Sequence, residues 1–280
     1  MIPTDQLLAF VAEDVSAGDI TTLALLEDKV VSARIEAREE MVVSGVEECA
    51  WLFKNAGVFV EILSADGSIA RSGERILMLK GSVHAILSLE RTCLNLLGRM
   101  SGIASAAAKA GRLVSVVNDH VRVSGTRKTA PGLRYFDKKA LIAGGALPHR
   151  HTLFDQFLIK DTHRALMPVD EAIRRCRAYS NKLVECEVES LEDALLAAKT
   201  GADIIMFDNM TPDLIRESIF ALEAAGLRED VKLEISGGIT PETVGRYAGL
   251  DVDVISMGAL THSVKCADIS LEIEEEEKIR

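Results

Sequence analysis

The sequence predicts an α/β protein, and three observations carry that reading. From about residue 120 onward, short β-branched runs alternate with amphipathic stretches at intervals of roughly 20–40 residues, the rhythm of βα units around a parallel sheet or barrel. Pro168, Pro212 and Pro241 stand where helices would begin, positions at which a missing N–H costs nothing. No antiparallel signal interrupts the series, which favours a barrel-like closure.

The N-terminal third has a different, α+β texture. Leu7 to Glu13 reads as a short helix, Val30 to Val43 as one or two strands with an exposed charged face, and Glu47 to Asn55 as a helix. Ser68 to Gly81 reads as a loop and strand punctuated by Gly73 and Gly81. A long helical region follows from about Val83 to Leu113, with interruptions expected near Gly98 and Gly102. The domain boundary is placed near Ser101 to Gly111, giving a domain over residues 1–105 and a barrel over residues 106–264, with the tail 265–280 able to join the first. The acidic run Glu272 to Glu277 reads as a solvated helix end.

Six strands are expected in the barrel: Val121 to Ser124, Phe157 to Lys160, Leu183 to Glu187, Asp203 to Phe207, Lys232 to Ser236 and Val252 to Met257. The helices between them are Pro168 to Tyr179, Leu191 to Lys199 and Pro212 to Ala225, and a further one beginning near Pro241.

Charge narrows the function. Gly125 to Asp161 holds Arg127, Lys128, Arg134, Lys138, Lys139, Arg150 and Lys160 against Asp137, Asp155 and Asp161, a cationic island in a chain of net charge −11. Such a balance points away from nucleic acid and from an anionic membrane, and towards a small, highly charged anion. The first residues lack a cationic leader before an apolar run, and no stretch has bilayer-spanning length, so a cytoplasmic protein is expected. Cys49, Cys93, Cys176, Cys186 and Cys266 show no CxxC spacing and suggest neither disulfides nor zinc.

In α/β barrels the reacting groups follow the carboxyl ends of the strands. There the chain places Arg127 and Lys128, then Lys160 and Asp161, then Glu185, Glu187 and Glu189, then Asp208 and Asn209. Ser236, Gly237 and Gly238 follow the fifth run and Gly258 the sixth. The glycine turns suit a phosphate at a helix start, although turn geometry alone also explains them. Glu187 and Asp208 suit a divalent cation such as magnesium with a polyphosphate, whereas Glu185 can pair with a lysine and Glu189 can simply start the next helix. Arg127, Arg150, Lys128, Lys160 and His149 suit carboxylates, His149 being able to donate from either ring nitrogen. Lys138 and Lys139 are expected on a helix facing solvent, Arg134 is intermediate, and His151 is a surface or packing residue.

With these residues in hand, the chain resembles the quinolinate phosphoribosyltransferase family (nicotinate-nucleotide pyrophosphorylase, carboxylating). The likeness runs through EDVSAGDITT, ERTCLNLLGRMSGIAS, GTRKTAPGLR, PHR with LIKD, VECEVESLEDA, FDN, SGGIT and ISMGALTHS. It implies an N-terminal α/β sandwich domain and an incomplete six- or seven-stranded α/β barrel, in homodimers or higher oligomers whose sites borrow an arginine, here Arg91, from the partner. The implied reaction joins quinolinate to phosphoribosyl pyrophosphate with decarboxylation, giving nicotinate mononucleotide, pyrophosphate and carbon dioxide in NAD biosynthesis. Arg91, Arg127, His149, Arg150 and Lys160 would hold quinolinate. Lys128, Glu187 and Asp208 would be catalytic and serve the phosphoribosyl donor, Glu187 and Asp208 holding Mg2+ directly, through water or through substrate phosphate. Ser236, Gly237, Gly238 and Gly258 would take the 5′-phosphate.

Two positions depart from the family pattern: Pro148 and Thr162 stand where asparagine is common. A related branch associated with molybdenum-transport genes also has proline before its His-Arg pair but generally lacks the LIKD segment. The alternatives are therefore a phosphoribosyltransferase of that branch, one acting on another ring acid without decarboxylation, or a non-catalytic phosphosugar-binding barrel.

Overall fold

The computed structural model describes residues 2–274. Two compact units emerge among the described residues, one from residues 2–106, 135–145 and 264–274, the other from residues 107–134 and 146–263. The division falls inside a continuous helix, Val83–Ser115, and the helix Arg134–Ala143 contributes most of its length to the first unit.

In the first unit, a four-stranded antiparallel sheet runs Ile269–Ile273, Val30–Ala37, Arg75–Ser82, Phe59–Ile62, with Met41–Val42 and Ile69–Ala70 forming a separate pair. The period of two sorts its central strand: Ala33, Ile35 and Ala37 are fully buried, while Arg34 and Glu36 pair with each other at 2.7 Å. Thr4–Asp14 and Val46–Asn55 correspond to the two early helices the pattern predicts. Ile20–Leu25 and the strand Phe59–Ile62 have no counterpart in that reading. The helix Ile20–Leu25 begins at Asp19, whose carboxylate accepts from the N–H groups of Thr21 and Thr22, a cap that Asp-x-Thr-Thr could have signalled.

Three expectations are corrected here. The interruptions at Gly98 and Gly102 are absent, because these glycines serve close approach instead of a break. A Cβ at Gly102 would lie 2.2 Å from the Lys265 carbonyl oxygen, and one at Gly98 3.0 Å from that of Ala267. The acidic run does not open as a helix end: Glu272 sits in the strand Ile269–Ile273, opposite Arg34, and residues 275–277 lie outside the described residues. Nor do Lys138 and Lys139 face solvent. Lys138 is fully buried, and Lys139 reaches Glu47, Glu48 and Asp66 at 2.7, 2.8 and 3.0 Å. Asp137, beside them and also fully buried, takes a bidentate grip from Arg99 at 2.8 and 2.9 Å.

The second unit is the parallel sheet the rhythm predicts. Its order is Arg122–Ser124, Val254–Ser256, Lys232–Ser236, Ile204–Asp208, Val184–Val188, Phe157–Ile159, every pair parallel. From Phe157–Ile159 onward successive strands are neighbours, and the last, Val254–Ser256, pairs with Arg122–Ser124, so the two ends of the arc are Arg122–Ser124 and Phe157–Ile159. Leu147 adds a single parallel bridge to Ser124 on the open side, so the barrel is incomplete with six strands and the trace of a seventh. Val169–Tyr179, Leu191–Thr200 and Pro212–Ala224 are the intervening helices, the last two capped by Ser190 and Thr211 side chains. The helix expected near Pro241 is reduced to a 3-10 turn, Val244–Arg246. No described helix is long and apolar enough to cross a membrane. Cys49, Cys93 and Cys186 are buried thiols and Cys266 is exposed.

Candidate active site

The carboxyl ends of five of the six strands, all but Val254–Ser256, open onto a cavity of about 400 Å³. That volume suits a small-molecule site. Arg127, Lys128, His149, Arg150, Lys160, Glu187, Asp208, Ser236, Gly237 and Gly238 all line it, so ten of the residues singled out in the sequence meet at one place. Thr126, Leu158, Asp161, Met206 and Asn209 complete the wall. Gly258 is absent from that wall but neighbours it, since a Cβ there would lie 2.8 Å from Lys128 Cδ. Arg91 is not among these residues either. Its exposed side chain lies on the helix Val83–Ser115, 4.0 Å from Glu90.

Cations gather on one part of the wall. Arg150 is buried, and burial and the nearby charge of Arg127 lower its pKa, against the carboxylates of Glu185, Glu187 and Asp155. Arg127 Nε is buried and has no hydrogen-bond partner among the described residues. An anion entering the cavity would relieve both conditions. Lys160 Nζ meets Glu187 Oε1 at 2.7 Å. Arg134, by contrast, spends its donors on Thr129 and the His151 carbonyl, and His151 is exposed.

Carboxylates and glycines form the rest. Glu187 and Asp208 come from neighbouring strands, and Asn209 Nδ2 holds Asp208 Oδ2 at 2.9 Å. Asn209 adopts a left-handed conformation, φ 55°, with its N–H donating to the Ser236 carbonyl at 3.0 Å. Gly237, φ 102°, packs against it so closely that a Cβ would lie 2.4 Å from Asn209 Oδ1. Gly237 and Gly238 both have positive φ, giving a turn of backbone N–H groups in place of the helix start expected there. Gly258 does precede a helix, although only the short Ala259–His262.

His149 and Glu185 differ from expectation. Both ring nitrogens of His149 are turned onto protein: Nδ1 accepts from the Arg150 N–H at 2.8 Å, and Nε2 lies 3.5 Å from both Glu185 Oε2 and Glu234 Oε1. Burial works against charge on the ring, but the two carboxylates more than offset it and push its pKa up to about 9. The Arg150 N–H opposes a second ring proton, because it needs a bare Nδ1. Burial raises the Glu185 carboxyl, and the charge of Glu234 adds to that rise while His149 counters it. Glu185 takes Gln156 Nε2 at 2.5 Å and this imidazole, not the lysine considered for it. Glu189 is exposed and precedes the helix cap at Ser190.

Glu234 and Arg164 are the residues that sequence reasoning missed. A glutamate at the centre of the strand Lys232–Ser236, in phase with the rim residue Ser236, was a legible signal of an inward-facing charge. Arg164, which donates to the Glu187 carbonyl at 3.2 Å and pairs with Asp193, had no pattern to announce it.

Known proteins resemble the chain over most of its length. The family model described as quinolinate phosphoribosyl transferase, N-terminal domain, matches residues 19–101, and that described as the C-terminal domain matches residues 103–272. A probable nicotinate-nucleotide pyrophosphorylase [carboxylating] of Methanothermobacter thermautotrophicus is 43% identical, over 96% of this chain and 98% of its own length. The human nicotinate-nucleotide pyrophosphorylase [carboxylating] is 36% identical over 86% of this chain and 82% of its own. The crystal structure of NadC from Streptococcus pyogenes superposes with a TM-score of 0.90 at 36% identity, covering 98% of this chain and 99% of that one.

Proposed function

The chain belongs to the quinolinate phosphoribosyl transferase family, and on that premise we propose how its cavity divides the work of the reaction. The protein is a carboxylating nicotinate-nucleotide pyrophosphorylase, transferring the phosphoribosyl group of phosphoribosyl pyrophosphate to quinolinate with loss of carbon dioxide. The observation that supports the division is the opposition, within one cavity, of crowded cations to a pair of carboxylates beside a glycine turn.

Quinolinate bears two adjacent ring carboxylates, and Arg127, Arg150 and Lys160 are its clamp. A guanidinium offers a planar fork to a carboxylate, and each close charge pair has a Coulomb energy of roughly 4 kcal/mol at an effective dielectric of about 20, before desolvation. His149 contributes through Arg150 more than by direct donation. The partner subunit's Arg91 completes the clamp in a homodimer.

The 5′-phosphate of the donor lies on the Ser236–Gly237–Gly238 turn, with Gly258 and Lys128 nearby. Glu187 and Asp208 face the ribose and its diphosphate. Their hard carboxylate oxygens, one held by Asn209, are a donor set that suits Mg2+. When bound, the ion screens charge on the departing pyrophosphate.

The ring nitrogen of quinolinate attacks the anomeric carbon while the bond to pyrophosphate breaks, and Glu187 and Asp208 stabilise the cation-like sugar between. The quaternised nitrogen then draws in the electron pair released as the bond to the neighbouring carboxylate breaks. Carbon dioxide leaves and a proton takes its place. No side-chain nucleophile is needed; the residues orient and isolate the reactants.

Alanine in place of Arg127 or Lys160 tests the clamp. Quinolinate KM should rise by at least about tenfold, as expected for losing a charged hydrogen bond. An unchanged kcat and KM in either variant would contradict the assignment.

A further inference from the structure

Glu185 lies two residues before Glu187 on its strand, and Glu234 two residues before Ser236 on another, so both point to the same side as those cavity residues but one layer deeper. Neither lines the cavity, and they are 0% and 3% exposed. Buried carboxylates are costly unless they answer a structural need. That need is visible in what they hold.

His149 has φ 57°, a conformation that a β-substituted residue adopts only when its surroundings enforce it. Nδ1 accepts from the Arg150 N–H at 2.8 Å, which leaves the ring proton on Nε2, 3.5 Å from an oxygen of each carboxylate. From Glu185 the chain of contacts continues. Gln156 Nε2 donates to Glu185 Oε2 at 2.5 Å, and the Gln156 carbonyl accepts from Arg150 Nη1 at 3.2 Å. Arg150, His149, Glu185 and Gln156 thus close a ring of polar contacts, with Glu234 braced against its imidazole. The ring fixes both the backbone and the guanidinium of Arg150.

We propose that Glu185, Glu234 and Gln156 are positioning residues for the pyridine-dicarboxylate substrate, tying His149 inward so that the His149–Arg150 corner presents the Arg150 guanidinium to the cavity. The inference rests on the reading of the cavity as the quinolinate site. It assigns His149 the part of a tie instead of a direct substrate donor. It also assigns a function to a residue, Glu234, that lies outside the cavity wall.

Steady-state kinetics of Glu234→Gln and Gln156→Leu, with each substrate varied in turn, test it. Gln156→Leu leaves both carboxylates in place and alters a half-buried side chain, so it decides the matter if Glu234→Gln fails to fold. Quinolinate KM should rise about tenfold in each, while kcat and the KM for phosphoribosyl pyrophosphate stay within about threefold. A folded variant with wild-type quinolinate KM would overturn the proposal. So would a parallel loss in kcat and both KM values, the mark of a general lesion, or an equimolar metal ion that copurifies with the wild type and is lost in Glu234→Gln. Failure of the wild type to turn over quinolinate would overturn the underlying reading together with this one. Normal wild-type turnover with unaltered variants would overturn this one alone.

Discussion

Lys160 Nζ lies 2.7 Å from Glu187 Oε1, joining the neighbouring strands Phe157–Ile159 and Val184–Val188 across the wall of the cavity. One partner belongs to the proposed dicarboxylate clamp and the other to the donor side, so the two substrates meet an existing ion pair. Whichever binds first bears the cost of loosening that pair, and the second finds it loosened. Phosphoribosyl pyrophosphate should therefore bind at least about fivefold more tightly with quinolinate present, and the reverse by the same factor. Calorimetric titrations of phosphoribosyl pyrophosphate with and without phthalate, a dicarboxylate that lacks the attacking ring nitrogen and so stands in for quinolinate without turnover, measure this, and Lys160→Met should abolish the coupling. Independent binding in the wild type would contradict it.

Gly237 and Asn209 make a second testable pair. Alanine at position 237 combines a φ of 102° with a Cβ 2.5 Å from the Asn209 N atom, so Asn209 must move and release Asp208. The strain costs about 1–3 kcal/mol of stability. Because Asp208 is held by the displaced amide, Gly237→Ala should also lower kcat/KM by at least about tenfold. Wild-type kcat/KM in a folded variant would contradict this.

Lys139 faces Glu47, Glu48 and Asp66, of which Glu48 has a fully buried side chain. Burial opposes its charge, but the three carboxylates more than compensate and raise its pKa. Lys139→Met removes the charge paired with these carboxylates and should destabilise the protein by about 3–5 kcal/mol in denaturant unfolding. A change within about 0.5 kcal/mol, the usual result at a solvated site, would contradict the burial.

The proposed sharing of each site between two subunits would make Arg91 complementary to the cavity of the second. Assayed at quinolinate well below their raised KM, Arg91→Ala and Lys160→Ala should each show little activity, and mixing them with subunit exchange should restore activity, because some dimers then hold one intact site. Two inactive variants that stay inactive after confirmed exchange would contradict the shared site.

The parallel strands were legible because both their composition and their spacing are local. Of the ten singled-out residues that line the cavity, eight followed from a topological rule about strand ends, which needs no side-chain detail, while His149 and Arg150 followed from their donor chemistry and the family resemblance. Less accessible were features set by distant partners. Lys138 and Lys139 look like solvated helix charges until Glu47, Glu48 and Asp66, far away in the chain, are brought beside Lys139. Gly98 and Gly102 look like breaks until Lys265 and Ala267 occupy the space they leave. Glu234 was readable in phase with Ser236, but its partner His149 was not, since that contact joins a strand to a loop about 85 residues earlier.

Single-turnover reaction of the wild-type enzyme with quinolinate labelled at the carboxyl beside the ring nitrogen, phosphoribosyl pyrophosphate and Mg2+ tests the chemistry most directly. Labelled carbon dioxide and pyrophosphate should form in equal amounts, with nicotinate mononucleotide as the organic product. Pyrophosphate without carbon dioxide, or neither product, would contradict it.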